Sequence, residues 1–281
     1  MDLPGGRQLA WIELGDPAGP VVIGMHGTPG SSRQIAIDEK AILDAGVRLV
    51  CPDRPGYGLS TYQPGRSLVA WVDDVRALAD RLVIERFSVM GVSGGGPHAA
   101  ACACLLADRV RAAGLVSGVG PLDRPGAEEG MLSFNKIMTR AARRAPALML
   151  PPYAVMTAAG RRWPERSVDA FARQLPPCDA EVLARPAVRV AFADNLRHAS
   201  RASGRAAVQD FALFAHPWGF RLEDITVPVH IWHGDLDRNV PLTHAQLQAH
   251  LIPGAVLHEC SGEGHMLFVD HLGEVLRILT E

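Results

Sequence analysis

The sequence has little lysine and almost no net charge. Only Lys40 and Lys136 are lysines, and 28 basic side chains stand against 30 acidic ones, a formal net charge of -2. A protein that binds a phosphate backbone or an anionic lipid surface normally carries a basic field. The composition therefore predicts that the chain binds neither nucleic acid nor a membrane surface.

The chain also offers no membrane span in its middle and no cysteine framework. The uncharged stretch 145–160 is 16 residues long and contains three prolines, whereas a spanning helix needs about 20 apolar residues. The five cysteines form an odd set without a C-x-x-C pair, and the first residues lack the basic and then apolar pattern of a signal peptide. We therefore expect a cytoplasmic protein without a transmembrane helix. The expected oligomeric state is a monomer or a homodimer.

Metal and phosphate motifs are missing as well. The 11 histidines are scattered, and no H-E-x-x-H group occurs. Residues 91–96 are rich in glycine, but they lack the Lys-Ser/Thr ending of a P-loop and the acidic partner of a dinucleotide site. The sequence predicts no metal and no cofactor, and the expected partner is a small-molecule substrate.

Short β-rich runs alternate with helical periodicity towards both ends of the chain. The run 87–92 meets a glycine turn and then an alanine-rich helix, and 67–83 carries apolar residues at helical spacing behind Ser67 as N-cap. Alternation resumes over 227–279. This order predicts an α/β fold with a mostly parallel central sheet flanked by helices. The first two runs, 9–14 and 21–25, are separated by turn residues and predict a hairpin.

The middle of the chain has a different character. Residues 121–220 are rich in alanine and arginine, contain two Pro-Pro pairs, and show helical but no strand periodicity. We expect an α/β core formed by 1–120 and 221–281, with 121–220 inserted as a helical cap. Because ligands bind at the carboxyl edge of a parallel sheet, the cap would act as a lid over that edge.

The sharpest chemical signal is the pentapeptide Gly91-Val92-Ser93-Gly94-Gly95. A serine on a tight turn between strand and helix needs near-absent side chains two residues before and two after it. G-x-S-x-G also occurs as an ordinary glycine turn, but here a β-rich run precedes the motif and a helical segment follows it. The context favours a nucleophile elbow with Ser93 as the nucleophile.

A serine nucleophile needs a base, and the base needs a carboxylate that fixes its tautomer and charge. His265 follows the last predicted strand and opens the last helix, so we predict it as the base; His98, close to the serine, is the main rival. The loop after the penultimate strand offers two aspartates, of which we choose Asp237. Asp235 suits the capping of its own turn, and Asp123 is a weaker third candidate.

Backbone N–H donors for a developing oxyanion are expected in the turn after the run 21–25. Pro29 has no N–H, so the Thr28 amide is the best candidate there, paired with the Gly94 amide after the nucleophile. Aromatic and apolar side chains of the cap would form a hydrophobic roof. The predicted pocket residues are His26, His98, Met149, Tyr153, Phe214, Trp218 and Met266.

Five motifs carry a family resemblance. They are HGTPGSS at 26–32, DRPGYGLS at 53–60, GVSGGG at 91–96, HGDLDRNVP at 233–241 and GEGH at 262–265. Over nearly the whole chain the sequence resembles the α/β-hydrolase family, in particular its cap-bearing proline iminopeptidase-like and esterase-like members. The resemblance implies a sheet of about eight strands and a helical cap after the sixth. It also implies Asp237, three residues before the Val-Pro pair, as the acid and Thr28 as an oxyanion donor.

The chain departs from the proline iminopeptidase pattern in two places. Those enzymes typically carry D-x-R-G-x-G-x-S and a tryptophan after the nucleophile, where this sequence has Pro55 and Gly94. An aminopeptidase also needs acidic cap residues for the substrate ammonium. The available ones are Glu128, Glu129, Glu165, Asp169 and Asp194.

We therefore predict a serine hydrolase of a small, largely hydrophobic carboxylic ester, with lactone, thioester or amide as variants. Three alternatives stay open at this point: a receptor-like α/β-hydrolase that binds a ligand with little turnover, a proline iminopeptidase-like aminopeptidase, and a C–C hydrolase or lyase that uses the same triad.

Overall fold

A computed structural model describes residues 1–281. Its strands are β1 (Asp2–Leu3), β2 (Arg7–Gln8), β3 (Trp11–Gly15), β4 (Val21–Met25), β5 (Arg48–Pro52), β6 (Phe87–Val92), β7 (Val110–Val116), β8 (Val229–Gly234) and β9 (Val256–Cys260). Its helices are α1 (Glu39–Asp44), α2 (Leu68–Arg81), α3 (Gly96–Leu105), α4 (Ser133–Arg144), α5 (Leu150–Arg162), α6 (Pro164–Ala172), α7 (Pro177–Ala184), α8 (Pro186–Ala199), α9 (Arg205–Phe214), α10 (Leu242–Leu251) and α11 (Phe268–Ile278). None of the helices combines the length and the apolar character needed to cross a membrane.

Seven strands form the central sheet, in the order β3-β5-β4-β6-β7-β8-β9, and β1 pairs with β2 in a small separate ribbon. All neighbours in the central sheet are parallel except β3, which pairs antiparallel with β5. The chain order reverses beside β4, since β5 lies on one side of it and β6 on the other. Ligands of open α/β sheets bind at such a switch point, outside the carboxyl ends of the strands.

The predicted α/β architecture is confirmed, although the central sheet has seven strands rather than about eight and the inserted helices follow its fifth strand rather than a sixth. The predicted hairpin is wrong. Strands β3 and β4 do not pair with each other, because β5 lies between them and pairs with both. The turn over 15–19 therefore joins strands that are not neighbours. The helix predicted over 67–83 is confirmed as α2, and Ser67 accepts a hydrogen bond from the Ala70 N–H as its N-cap.

Alternation along the strands divides the core between the two faces of the sheet. Ile23 of β4 and Val89 of β6 face α2, α3 and α10, whereas their neighbours Val22 and Met90 face α1 and α11. Because successive side chains of a strand point to opposite faces, a strand covered on both faces is apolar throughout. All six residues of β6 are buried. The strand that leads to Ser93 is thus held rigidly from both sides.

The six helices α4 to α9 lie between β7 and β8, and no strand interrupts them. They fall within the segment 121–220, whose boundaries as a cap we keep as a proposal. Their inner faces bury a separate apolar cluster that includes Met138, Tyr153 and Ala207. This segment lies over the edge where β4, β6 and β8 end, because its side chains line one cavity with those that follow these strands.

Candidate active site

Ser93 lies on the turn between β6 and α3, where the chain reverses within three residues. Its backbone φ is 54°, in the left-handed region that only a few per cent of non-glycine residues occupy. A Cβ at Gly91 would overlap the Gly95 carbonyl, and a Cβ at Gly95 would overlap the Met25 carbonyl. The two flanking glycines therefore permit the close backbone approach that a nucleophile elbow requires.

His265 and Asp237 form a buried pair at the ends of β9 and β8. His265 Nδ1 lies 2.7 Å from Asp237 Oδ2, and Asp237 Oδ1 accepts from the amides of Asn239 (2.8 Å) and Val240 (2.9 Å). Burial alone would lower the pKa of His265, but the adjacent Asp237 carboxylate outweighs burial and raises that pKa above its ordinary value. Asp237 thus orients the ring and favours its protonated form, the arrangement a general base needs.

The rival residues lie elsewhere. Asp235 accepts from Ser261 Oγ (3.0 Å) and the Gly262 N–H (2.8 Å), so it holds the loop that precedes His265. Asp123 is exposed beside Arg124. His98 is buried, and its Nδ1 lies 3.0 Å from the Gly94 carbonyl oxygen. None of these three residues lines the cavity that Ser93 lines.

A cavity of about 420 Å³ lies between the sheet edge and the inserted helices. Ser93, His265, Thr28 and Gly94 all line it, and 20 of its 35 lining residues are hydrophobic. The Thr28 N–H makes no hydrogen bond within the protein. The walls carry no Asp, Glu, Lys or Arg side chain, and Ser93 and His265 lie on the same cavity.

The predicted pocket residues divide into two groups. Tyr153, Phe214 and Met266 line the cavity. The other four predicted residues, His26, His98, Met149 and Trp218, do not line it, because their side chains are buried in other contacts. Met149 packs inside the cluster of the inserted helices, and Trp218 packs in the core beside Phe220.

The two predicted pocket histidines serve the loops instead. His26 Nδ1 lies 2.8 Å from the Gly27 carbonyl oxygen, while its Nε2 accepts from the Arg54 N–H at 3.0 Å. Burial and the nearby Arg54 guanidinium lower the pKa of His26 to about 3, and the same two causes hold the pKa of His98 well below its usual range. Both rings are therefore neutral hydrogen-bonding elements rather than cavity walls.

A buried ion-pair network that the sequence analysis missed lies beneath the turn that carries Thr28. Asp210 of α9 is fully buried, and its Oδ2 accepts from Arg54 Nη1, the Tyr57 hydroxyl and the Thr28 hydroxyl, each at 2.7 Å. Asp210 Oδ1 accepts from Arg66. Although burial alone would raise the pKa of Asp210, the two guanidinium groups hold it below its usual range. The sequence signal for this network is that Asp210 stands among the apolar residues of a helix, where a carboxylate needs a buried partner.

A second carboxylate from the inserted helices supports the histidine loop. Asp179 of α7 accepts from the N–H groups of His265 (3.0 Å) and Met266 (2.7 Å). A Cβ at Gly264 would overlap this carboxylate, so the contact requires glycine there. Burial raises the pKa of Asp179, partly offset by these two hydrogen bonds. Nothing in the local sequence distinguishes this aspartate from a surface residue near a helix start.

One group of metal-ligand residue types lies outside the cavity. Cys260, Glu263 and His271 place ligand atoms within 4.8 Å of one another. The His271 ring also contacts Glu263 and Glu274, and these hydrogen bonds to carboxylates raise the pKa of His271 against the effect of burial. His271 and the two glutamates thus form ion pairs, and the expectation that the chain binds no metal stays a prediction.

Comparison with known proteins decides the family. The model of the alpha/beta hydrolase family matches residues 21–278. The chain belongs to the alpha/beta hydrolase family. Among solved structures, this alpha/beta hydrolase is similar to an esterase from Exiguobacterium antarcticum, with a TM-score of 0.71 and 20% identity over 98% of this chain and 95% of that one. At this identity the likeness concerns the fold.

Two curated relatives show how far the sequence similarity extends. Uncharacterized hydrolase YcgS of Bacillus subtilis (strain 168) is 25% identical over 272 residues, which cover 89% of this chain and 86% of that protein. The 3-hydroxybutyrate-oligomer hydrolase of Cupriavidus necator is 31% identical over 140 residues, 48% of this chain and 47% of that protein. This alpha/beta hydrolase thus spans less than half the length of the first curated relatives it matches.

Proposed function

We propose that the protein is a serine hydrolase that cleaves a small, uncharged and largely hydrophobic carboxylic ester through an acyl-enzyme, with a lactone, thioester or amide as variants. The observation that carries this proposal is the cavity. Its walls bear no charged side chain, and it opens onto Ser93, His265 and the unpaired Thr28 amide. A neutral apolar acyl group matches such walls, and a carbonyl carbon placed beside Ser93 would meet both the nucleophile and the Thr28 amide.

In this mechanism Ser93 Oγ attacks the ester carbonyl carbon and passes its proton to His265 Nε2. Asp237 accepts the Nδ1–H bond at 2.7 Å and stabilises the imidazolium that forms. The amides of Thr28 and Gly94 donate to the tetrahedral oxyanion. The alcohol leaves with the proton from His265, and water then repeats the sequence on the acyl-enzyme. Ser93 and His265 line the same cavity without a direct hydrogen bond between them, and catalytic hydrogen bonds of this kind often tighten only in the substrate complex.

Cavity chemistry argues against the aminopeptidase alternative. A substrate ammonium needs a carboxylate, yet four of the five acidic residues considered for that role pair with arginines outside the cavity. The pairs are Glu128 with Arg140 and Arg143, Glu165 with Arg197, Asp169 with Arg189, and Asp194 with Arg33. The fifth, Glu129, is exposed and does not line the cavity. An ammonium group would therefore enter this cavity without a counter-charge.

The first experiment is hydrolysis of p-nitrophenyl esters from acetate to decanoate by the wild type and Ser93→Ala. We expect turnover by the wild type and a loss in Ser93→Ala, together with loss of labelling by a fluorophosphonate probe. Ser67→Ala is the matched control: it removes a serine hydroxyl from the N-cap of α2, away from the cavity, and should keep both activity and labelling.

Three results would contradict the proposal in different ways. Labelling of Ser93→Ala at the wild-type rate would exclude Ser93 as the nucleophile. Tight binding of an ester-like ligand without turnover would favour the receptor alternative. Products from cleavage of a C–C bond, with every ester left intact, would favour the C–C hydrolase or lyase. The cytoplasmic location and the monomeric or dimeric state stay predictions from the sequence.

A further inference from the structure

The oxyanion hole of the proposed mechanism is made of two amides on separate loops. Thr28 follows β4 and Gly94 follows β6, so their relative position depends on whatever holds both loops. The two residues are already close, since a Cβ at Gly94 would overlap the Thr28 hydroxyl. Amides aimed at an oxyanion must stay within a fraction of an ångström of their productive positions. The contacts beneath these loops therefore matter for the reaction.

The Thr28 loop is tied to a carboxylate of α9. The Thr28 hydroxyl donates to Asp210 Oδ2 at 2.7 Å and accepts from Arg54 Nη2 at 2.8 Å. The same guanidinium nitrogen donates to the Gly27 carbonyl oxygen at 2.9 Å. Three contacts from one ion pair thus hold the Gly27–Thr28 peptide group, which carries the Thr28 N–H, and the Thr28 side chain.

The Gly94 loop is tied to the same ion pair through His98. Its Nδ1 lies 3.0 Å from the Gly94 carbonyl oxygen, which can only accept, so Nδ1 carries the proton and donates. The neutral ring then accepts at Nε2 from Arg54 Nη1, 3.1 Å away. Arg54 Nη1 also donates to Asp210 at 2.7 Å. One continuous chain of hydrogen bonds therefore runs from Asp210 to each oxyanion loop.

We propose that Asp210, which lies on the inserted helix α9, is a positioning residue for the oxyanion hole of the α/β core. The inference rests on the proposed function and adds a residue that does not touch the substrate, since Asp210 does not line the cavity. Its charge balances Arg54 and Arg66, whose side chains are almost fully buried and would otherwise be uncompensated. The oxyanion hole is then assembled when α9 packs against the α/β core.

A purely structural ion pair would predict a different outcome from a positioning role. Loss of structure alone lowers the amount of active protein and affects ground-state and transition-state ligands alike. Loss of oxyanion positioning weakens only complexes that carry an oxyanion. The discriminating pair of ligands is an alkyl trifluoromethyl ketone, which forms a tetrahedral oxyanion adduct with serine, and the methyl ketone of the same chain length.

The test is Asp210→Asn in the full chain, with kcat, KM and the affinity for both ketones. We expect kcat to fall about 10- to 100-fold with KM within about threefold, because misplaced amides lose transition-state stabilisation. Affinity for the trifluoromethyl ketone should fall by a similar factor, and affinity for the methyl ketone should not change. Asp194→Asn is the matched control, since it breaks the exposed pair with Arg33 and should keep wild-type kinetics.

A second pair of variants keeps the inference falsifiable if Asp210→Asn does not fold. Thr28→Val replaces the hydroxyl that Asp210 holds by a methyl group and should lower kcat about tenfold, whereas Thr28→Ser retains the hydroxyl and should restore activity. If folded Asp210→Asn or Thr28→Val keeps the wild-type kcat, the positioning role is overturned. Ser93-dependent turnover in the same experiment would leave the proposed function intact. A wild type that neither turns over esters nor reacts with the fluorophosphonate would overturn both.

Discussion

The length of the acyl chain should control turnover, because the cavity wall is apolar and uncharged. Burying one methylene is worth about 0.8 kcal/mol, and 1.36 kcal/mol changes a rate tenfold, so kcat/KM should rise about fourfold for each carbon added. From butanoate to octanoate this amounts to about 200-fold. The increase should end where the chain fills the cavity of about 420 Å³. Steady-state kinetics on the p-nitrophenyl series measures each step.

The same series tests the absence of charge on the cavity wall. Replacing the terminal methyl of the preferred ester by a carboxylate should lower kcat/KM by at least about 100-fold, since an unpaired buried ion costs several kcal/mol. Phe214→Ala, which removes a buried wall ring, should move the preferred chain length upwards. Equal kcat/KM across the series, or equal rates for the charged and uncharged esters, would refute the assignment of this cavity to the acyl chain.

Two further predictions concern the histidine. His265 must be neutral to accept a proton and Asp237 raises its pKa, so kcat/KM should fall as pH drops through a pKa above 6.5. Asp237→Asn should shift this acidic limb of the pH profile to lower pH and reduce kcat about 10³- to 10⁴-fold. An unshifted limb would assign the titration to another group. Asp179→Ala leaves the amides of His265 and Met266 without their acceptor. Urea denaturation should therefore show a free energy of unfolding lower by about 1–3 kcal/mol, and kcat should also fall. Unchanged stability and kcat would show that Asp179 does not support the histidine loop.

Local patterns were sufficient for the architecture and for the candidate nucleophile. Strands covered on both faces read as continuous apolar runs, and the glycines around Ser93 record a close approach of backbone atoms that any side chain would block. These constraints act over a few residues, so the sequence displays them directly. The order of the motifs along the chain then pointed to His265 and Asp237 as the pair, which the structure brings to 2.7 Å.

Long-range contacts decided what local patterns could not. The opening hairpin was wrong because strand pairing depends on where β5 inserts, a contact between distant parts of the chain. The sequence predicts His26 and His98 as pocket residues, because it reveals residue type but not the neighbour that each ring nitrogen contacts. Asp210 lies 182 residues from Thr28. Its role depends on buried charges from separate segments that compensate one another only after folding, so tertiary structure alone decides it.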